Sequence, residues 1–177
     1  MTIATNQSKN NKAGVKMEKQ NRAKEQAKAQ LESIITLVNR LEHSQECDGE
    51  DCVLTDKQIL ESLNTYYKPG MEANEEEKQE CHDEEAIREA FDEDPLCIEV
   101  RTDWHTPGEE TKSTEYMILL CTGGPAVRIV GDLDGYQQPE TANLEYQDWF
   151  TPWEQYPLTG EEEKTLLTYA QHFYFDV

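Results

Sequence analysis

Residues 114–134, TEYMILLCTGGPAVRIVGDLD, constrain the fold more than any other part of the chain. Residues 116–121 form a run that is apolar on both faces, which reads as a buried strand. Residues 122–125, TGGP, are turn chemistry: glycine admits positive φ, and proline cannot donate to a strand ladder. Val127, Ile129 and Val130 then resume a strand that ends near Gly131 and Asp132. A hairpin at the centre of a sheet is the expectation.

The flanking sequence extends that sheet. Leu96, Ile98 and Val100 alternate with Cys97, Glu99 and Arg101, as on a half-buried strand, and Ala142, Leu144 and Tyr146 alternate as a fourth. Thr159 and Glu162 make a capping box that opens a helix with Leu166, Leu167, Ala170, Phe173 and Tyr174 on one face. Twelve of the fifteen aromatic residues lie after residue 100, which places the main core in the C-terminal half. The expected class is α+β: an antiparallel sheet of about four strands, helices on one face, and a helical region ahead of it.

Upstream, residues 1–16 are rich in Asn, Lys, Ser and Thr and read as a disordered basic arm. Residues 17–42 consist mainly of good helix formers, with Leu31, Ile34, Val38 and Leu41 as a stripe and Ile35 beside it. Two heptads fall short of a coiled coil, so docking on the chain's own core is favoured over pairing of two subunits. Thr55 and Gln58 form another capping box, followed by Ile59, Leu60 and Leu63 at helical spacing and a stop at Pro69-Gly70. Ala86, Ile87, Ala90 and Phe91 give one apolar face to a short helix over 83–92, ended by Pro95. The expected division is an arm at 1–16, an acidic helical region at 17–94 and a core domain at 95–177 that folds alone.

Charge narrows the function. The chain carries a net charge of -21, unevenly spread. Residues 1–30 hold seven Lys/Arg against two Glu, about +5, while the other positions hold 9 basic and 35 acidic side chains, about -26. Twelve acidic residues fall within 72–94. Such a surface repels nucleic acid and attracts proteins with basic grooves. The N-terminus is polar and lysine-rich, without the apolar stretch of a signal peptide, and no run is long enough to span a membrane. Five cysteines, an odd number, outline no disulfide framework. A soluble protein of a reducing cytoplasm is expected.

The constellations that carry chemistry are weak in sequence. His43, Cys47, Cys52, Cys81 and His82 come nearest to a metal set, but their spacing is irregular and no C-x-x-C pair is present. They read as unrelated residues, with neither metal nor cofactor expected. Residues 122–124 follow a strand as a phosphate loop does, yet lack G-x-x-x-x-G-K and lead into another strand. Asp132 and Asp134 resemble a fragment of a calcium loop, but Asn143 stands where the closing glutamate belongs. Cys121, with His105 or His172 as base, is the one nucleophile arrangement to weigh, and nothing in the sequence joins them. The aromatic group Trp104, Tyr146, Trp149, Phe150, Trp153 and Tyr156 reads first as a cap on the sheet and second as a binding hot spot.

The segments CTGGPAVRIVGDLD (121–134), LEYQDWFTPW (144–153) and LLTYAQHFYF (166–175), with EDPLCIEVRTDWHTPGEE (93–110), resemble a family of small acidic proteins carried by phages, prophages and plasmids. The resemblance covers about residues 93–177. It implies an accessory protein of a mobile element, some of which block host defence, and it assigns no catalytic residue.

The functional expectation is a non-enzymatic inhibitor that mimics DNA. Its contact residues are Glu75, Glu76, Glu77, Glu84, Glu85, Asp132, Asp134, Trp149 and Trp153, with Glu109, Glu110 and Glu161, Glu162, Glu163 adding charge. The partner is a basic, nucleic-acid-binding host defence complex of the CRISPR or restriction kind; neither nucleic acid nor membrane is bound directly. The rivals are an oligomerising accessory or scaffold protein, a homodimer through the 17–42 helix, and a small enzyme using Cys121 or a histidine.

Overall fold

The sheet is a five-stranded antiparallel meander in which every strand pairs with its neighbours in sequence: β1 (Cys97–Arg101), β2 (Glu115–Cys121), β3 (Ala126–Asp132), β4 (Asn143–Gln147) and β5 (Glu154–Gln155). The computed structural model describes residues 7–47, 52, 54–63, 65–108 and 111–175, with side chains from residue 22 onward. The hairpin is β2–β3, with Ile118 opposite Ile129 and a register shift between Leu119 and Cys121. A fifth strand joins the four expected. It is two residues long, too short to show any alternation, and pairs Gln155 with Glu145 and Glu154 with Tyr146.

Period-two alternation sorts the strands into two faces. Tyr116, Ile118 and Leu120 of β2, Val127 and Ile129 of β3, and Leu144 and Tyr146 of β4 are buried on one face. That face is covered by α1 (Gln7–Glu46), α4 (Glu84–Glu93) and α5 (Gly160–Ala170), whose Leu31, Ile34, Val38, Ile87, Phe91, Leu166 and Tyr169 belong to the same core cluster. Phe91 stacks on Tyr169 at 5.5 Å and on His172 at 4.2 Å, joining α4 to the C-terminal helix. At the edge, Ile98 of β1 stays partly exposed and Leu96 is outside the core.

Two expectations change here. Residues 7–16 are part of α1, which starts ahead of the expected Met17; residues 1–6 lie outside the described residues. The boundary at 95 does not separate two cores, because α1 and α4 supply Ala23, Ala27, Leu31, Ile34, Val38, Ile87 and Phe91 to the cluster beneath the sheet. The physical reason is coverage: a sheet with one apolar face needs a second layer, and α5 alone is one helix wide. The stripe of Leu31, Ile34 and Val38 on α1 is therefore taken up within the chain.

A second, smaller cluster holds Ile59, Leu60, Ala73 and Cys81, flanked by Leu54, Leu63 and Tyr67. Ile59 and Leu60 come from α2 (Asp56–Ser62), while Ala73 precedes α3 (Glu75–Glu80) and Cys81 caps its end, α3 itself burying none of its residues. Both short helices start from complete capping boxes, Thr55 with Gln58 and Asn74 with Glu77.

Two core tyrosines give a pH dependence. Burial pushes the phenols of Tyr169 and Tyr116 well above the ordinary tyrosine range, with nearby Asp94 and Asp132 adding to the effect. Tyr169 donates to Asp94 Oδ2 at 2.5 Å, and Tyr116 donates to the Thr141 carbonyl at 2.8 Å. The folded phenols stay protonated where the unfolded chain ionises, near the ordinary tyrosine value of about 10. Their contribution is thus intact below that pH and is lost as pH rises through it. Urea midpoints should fall between about pH 8 and pH 11, less steeply in Tyr169→Phe. Midpoints of equal pH slope in the two proteins would contradict this.

Candidate functional site

The acidic surface is built on two consecutive helices separated by a tight turn. Asn74 caps α3: its Oδ1 accepts from Glu77 N at 2.9 Å, and Glu77 Oε2 accepts from Asn74 N at 2.8 Å. Asp83 caps α4, accepting from Glu85 N at 2.9 Å and Ala86 N at 3.2 Å. Both first turns are acidic, where the positive end of the helix dipole favours carboxylates. Glu75, Glu76, Glu84 and Glu85 are exposed, whereas Glu77 is half-buried in its capping box. Glu75 also pairs with Lys78 at 3.0 Å. The sequence reading missed α3 as a helix, although Asn74-x-x-Glu77 carries its start signal.

The other expected contact residues divide. Asp132 and Asp134 hold the fold together. Asp132 Oδ2 accepts from the Thr141 hydroxyl at 3.0 Å, while Asp134 Oδ1 accepts from Tyr136 N at 2.8 Å and Gln138 N at 2.9 Å. The latter two bonds shape the turn that presents buried Gln137 to the Ser113 backbone. Glu109 and Glu110 lie outside the described residues. Glu161 and Glu163 are exposed in the first turn of α5, and Glu162 completes its capping box.

Trp149 lies across the hairpin turn. A Cβ on Gly124 would come within 1.6 Å of the indole Nε1, so the turn glycine serves both a positive φ of 76° and this close approach. Trp153 is half-buried on the sheet face opposite the helices, where the Arg128 guanidinium stacks 4.0 Å from its ring centre. Arg128 also bonds Glu145 at 2.7 Å. Trp104 and Phe150 are fully exposed, and Tyr146 is buried. The aromatic group is therefore mixed: Tyr146 is core, Trp153 is part of a stacked ion pair, and Trp104, Trp149 and Phe150 show large apolar area to solvent.

The nucleophile arrangement finds little support. Cys121 packs against the edge of the core, and burial pushes its thiol up, the opposite of thiolate activation. His105 bonds its own loop at Asp103 O, and His172 is packed on Phe91.

The Cys/His set behaves differently from its sequence reading. His43, Cys47, Cys52 and His82 each bring one ligand atom to within 4.8 Å of the others. His43 sits in the last turn of α1, and the helical bond from Cys47 N to His43 O, 3.0 Å, stacks the cysteine one turn above it. Cys52 Sγ is 3.4 Å from His43 Nε2, and the rings of His43 and His82 are 4.9 Å apart. Cys81 is buried beside this group, its thiol donating to the Lys78 carbonyl at 3.2 Å. The reading of unrelated residues fails because sequence spacing says nothing about His82, which α3 carries back to the end of α1. His43-x-x-x-Cys47, an i,i+4 pair at a helix end, was the available signal.

No family model, no curated protein and no solved structure matches this chain.

Proposed function

We infer that this chain acts without catalysis, as an acidic binding protein whose α3–α4 surface occupies the nucleic-acid groove of a basic partner. One observation carries the reading: Glu75, Glu76, Glu84 and Glu85 stand exposed on two capped helices that follow one another directly. Carboxylates on rigid elements can stand where phosphates would lie, which loose charge on a tail does less well. Among the described residues no helix is long and apolar enough to cross a membrane. The resemblance of residues 93–177 to proteins of mobile elements favours a host defence complex as the partner. Trp149 and Phe150 are the apolar contacts we assign beside the charge, since exposed aromatics anchor interfaces.

The test uses a partner captured from host lysate by the full chain. Affinity should fall steeply with salt, as the Debye length shrinks from about 10 Å at 0.1 M to roughly 3 Å at 1 M. Duplex DNA should compete with the chain for the partner. Replacing Glu75, Glu76, Glu77, Glu84 and Glu85 together by glutamine removes charge while keeping the cap at position 77, because glutamine also closes a capping box. Unchanged affinity in that variant would reduce the run to a solvated face. Removal of residues 1–16 controls for the basic arm; a longer truncation would cut into Ala23 and Ala27 of the core. Tight DNA binding by the armless protein would overturn the reading.

A further inference from the structure

We propose that His43, Cys47, Cys52 and His82 form a structural zinc site that ties the end of α1 to the α2–α3 unit. The donor set is two thiols and two imidazoles, with one atom from each within 4.8 Å of the rest. A tetrahedron with Zn–S of about 2.3 Å and Zn–N of about 2.0–2.1 Å has edges of roughly 3.3–3.8 Å. The 3.4 Å separation of Cys52 Sγ and His43 Nε2 is such an edge. Thiolate and imidazole select zinc over magnesium or calcium, which prefer oxygen. Four protein ligands close the coordination shell, so the site holds the fold and leaves no position for a substrate.

The surrounding structure calls for a staple at this place. The cluster of Ile59, Leu60, Ala73 and Cys81 is separate from the main core, and its helices are seven and six residues long. Helices so short are marginal in water, and small cores commonly need a metal or a disulfide. The ligands come from each part that must be joined. His43 belongs to α1, Cys52 precedes α2, and His82 sits in the turn between α3 and α4. Arg40, one turn before His43 and itself buried, donates to the Glu80 carbonyl at 2.6 Å and draws the same turn toward α1. Two thiolates also neutralise the ion, so no net charge is left among half-buried side chains.

The competing accounts are a metal-free S–H···N bond from Cys52 to His43 and a Cys47–Cys52 disulfide. Untagged full-length protein, from cells supplied with zinc and purified without chelator, should carry about one zinc per chain by mass spectrometry of the metal. Cobalt added to the chelated protein should give the visible bands of a tetrahedral ion with a thiolate charge-transfer band. Cys47→Ser and Cys52→Ser should each lose the stoichiometric zinc, while Cys97→Ser keeps it. Chelation should abolish amide protection in residues 54–82 before it affects the 115–147 sheet. The cobalt titration needs no variant, so it decides the matter even where a serine variant misfolds. Less than a tenth of an equivalent of zinc together with an octahedral cobalt spectrum would overturn the proposal. So would a mass two hydrogens light that maps to a Cys47–Cys52 bond, or equal loss of metal from Cys97→Ser. The glutamine variants test the acidic surface separately, so either reading can fail without the other.

Discussion

Residues 95–177 expressed without the rest of the chain are expected to give a poorly dispersed amide spectrum and no cooperative melt. The cut removes Leu31, Ile34, Val38, Ile87 and Phe91, each at most 2% exposed in the whole protein. A fully buried side chain of this size contributes about 1.5–3 kcal/mol, so Leu31, Ile34 and Val38 alone represent about 5–9 kcal/mol. That is comparable with the whole net stability of a domain, roughly 5–15 kcal/mol. The cut also uncovers Ile129, Leu144 and Tyr169, which are fully buried in the intact chain. Adding residues 17–46 as a separate peptide should restore dispersion if coverage is the cause. A sharp spectrum and melt from 95–177 alone would show instead that α5 suffices.

Gly131→Ala is expected to be strongly destabilising, because the added methyl would meet backbone. A Cβ there would lie 1.9 Å from the Thr141 carbonyl oxygen and 2.7 Å from the Tyr116 ring. The obstacle cannot easily yield. The Thr141 carbonyl accepts from Tyr116 at 2.8 Å, and the Thr141 hydroxyl accepts from Asp132 N at 2.9 Å and donates to Asp132 Oδ2 at 3.0 Å. Overpacking usually costs about 1–3 kcal/mol, and a clash with pinned backbone belongs at or above the top of that range. A loss of about 3 kcal/mol lowers the melting temperature by roughly 6–12 °C in a chain of this size. Gly135→Ala, with nothing within 4 Å of the added methyl, is the control and should melt near the parent. Equal melting of the two variants would mean that the connection holding Thr141 has slack.

The sheet was legible because its signal is local. The apolar run at 116–121, the alternation of Ala142, Leu144 and Tyr146, and the turn chemistry at 122–125 each fit within a few residues, and the strands pair in sequence order. That β2 buries only alternate residues was not legible, because its other face is apolar too. The capping boxes at Thr55 and Thr159 were legible for the same reason. What could not be read was whatever depends on elements far apart. That Ala23 and Ala27 of α1 reach the core is a property of the second layer, and small alanines carry almost no hydropathic signal. Asp132 and Asp134 looked like free charge because their hydrogen bonds run to backbone and to Thr141. His82 is 39 positions from His43 in sequence, and only the placement of the α3–α4 turn against the end of α1 brings their rings together.

The order of the elements has a consequence for synthesis. The sheet pairs neighbour with neighbour, so each of its hairpins can close soon after it is made. Helix α1 cannot finish so soon. Its buried stripe is completed by β3, β4 and α5, and α5 ends more than a hundred residues after α1 does. At about 5–20 residues per second, Leu31, Ile34 and Val38 wait on the order of 6–25 s outside the ribosome before their partners exist. The alanines at 23 and 27 keep that waiting surface narrow, and the lysines along the same helix keep it charged.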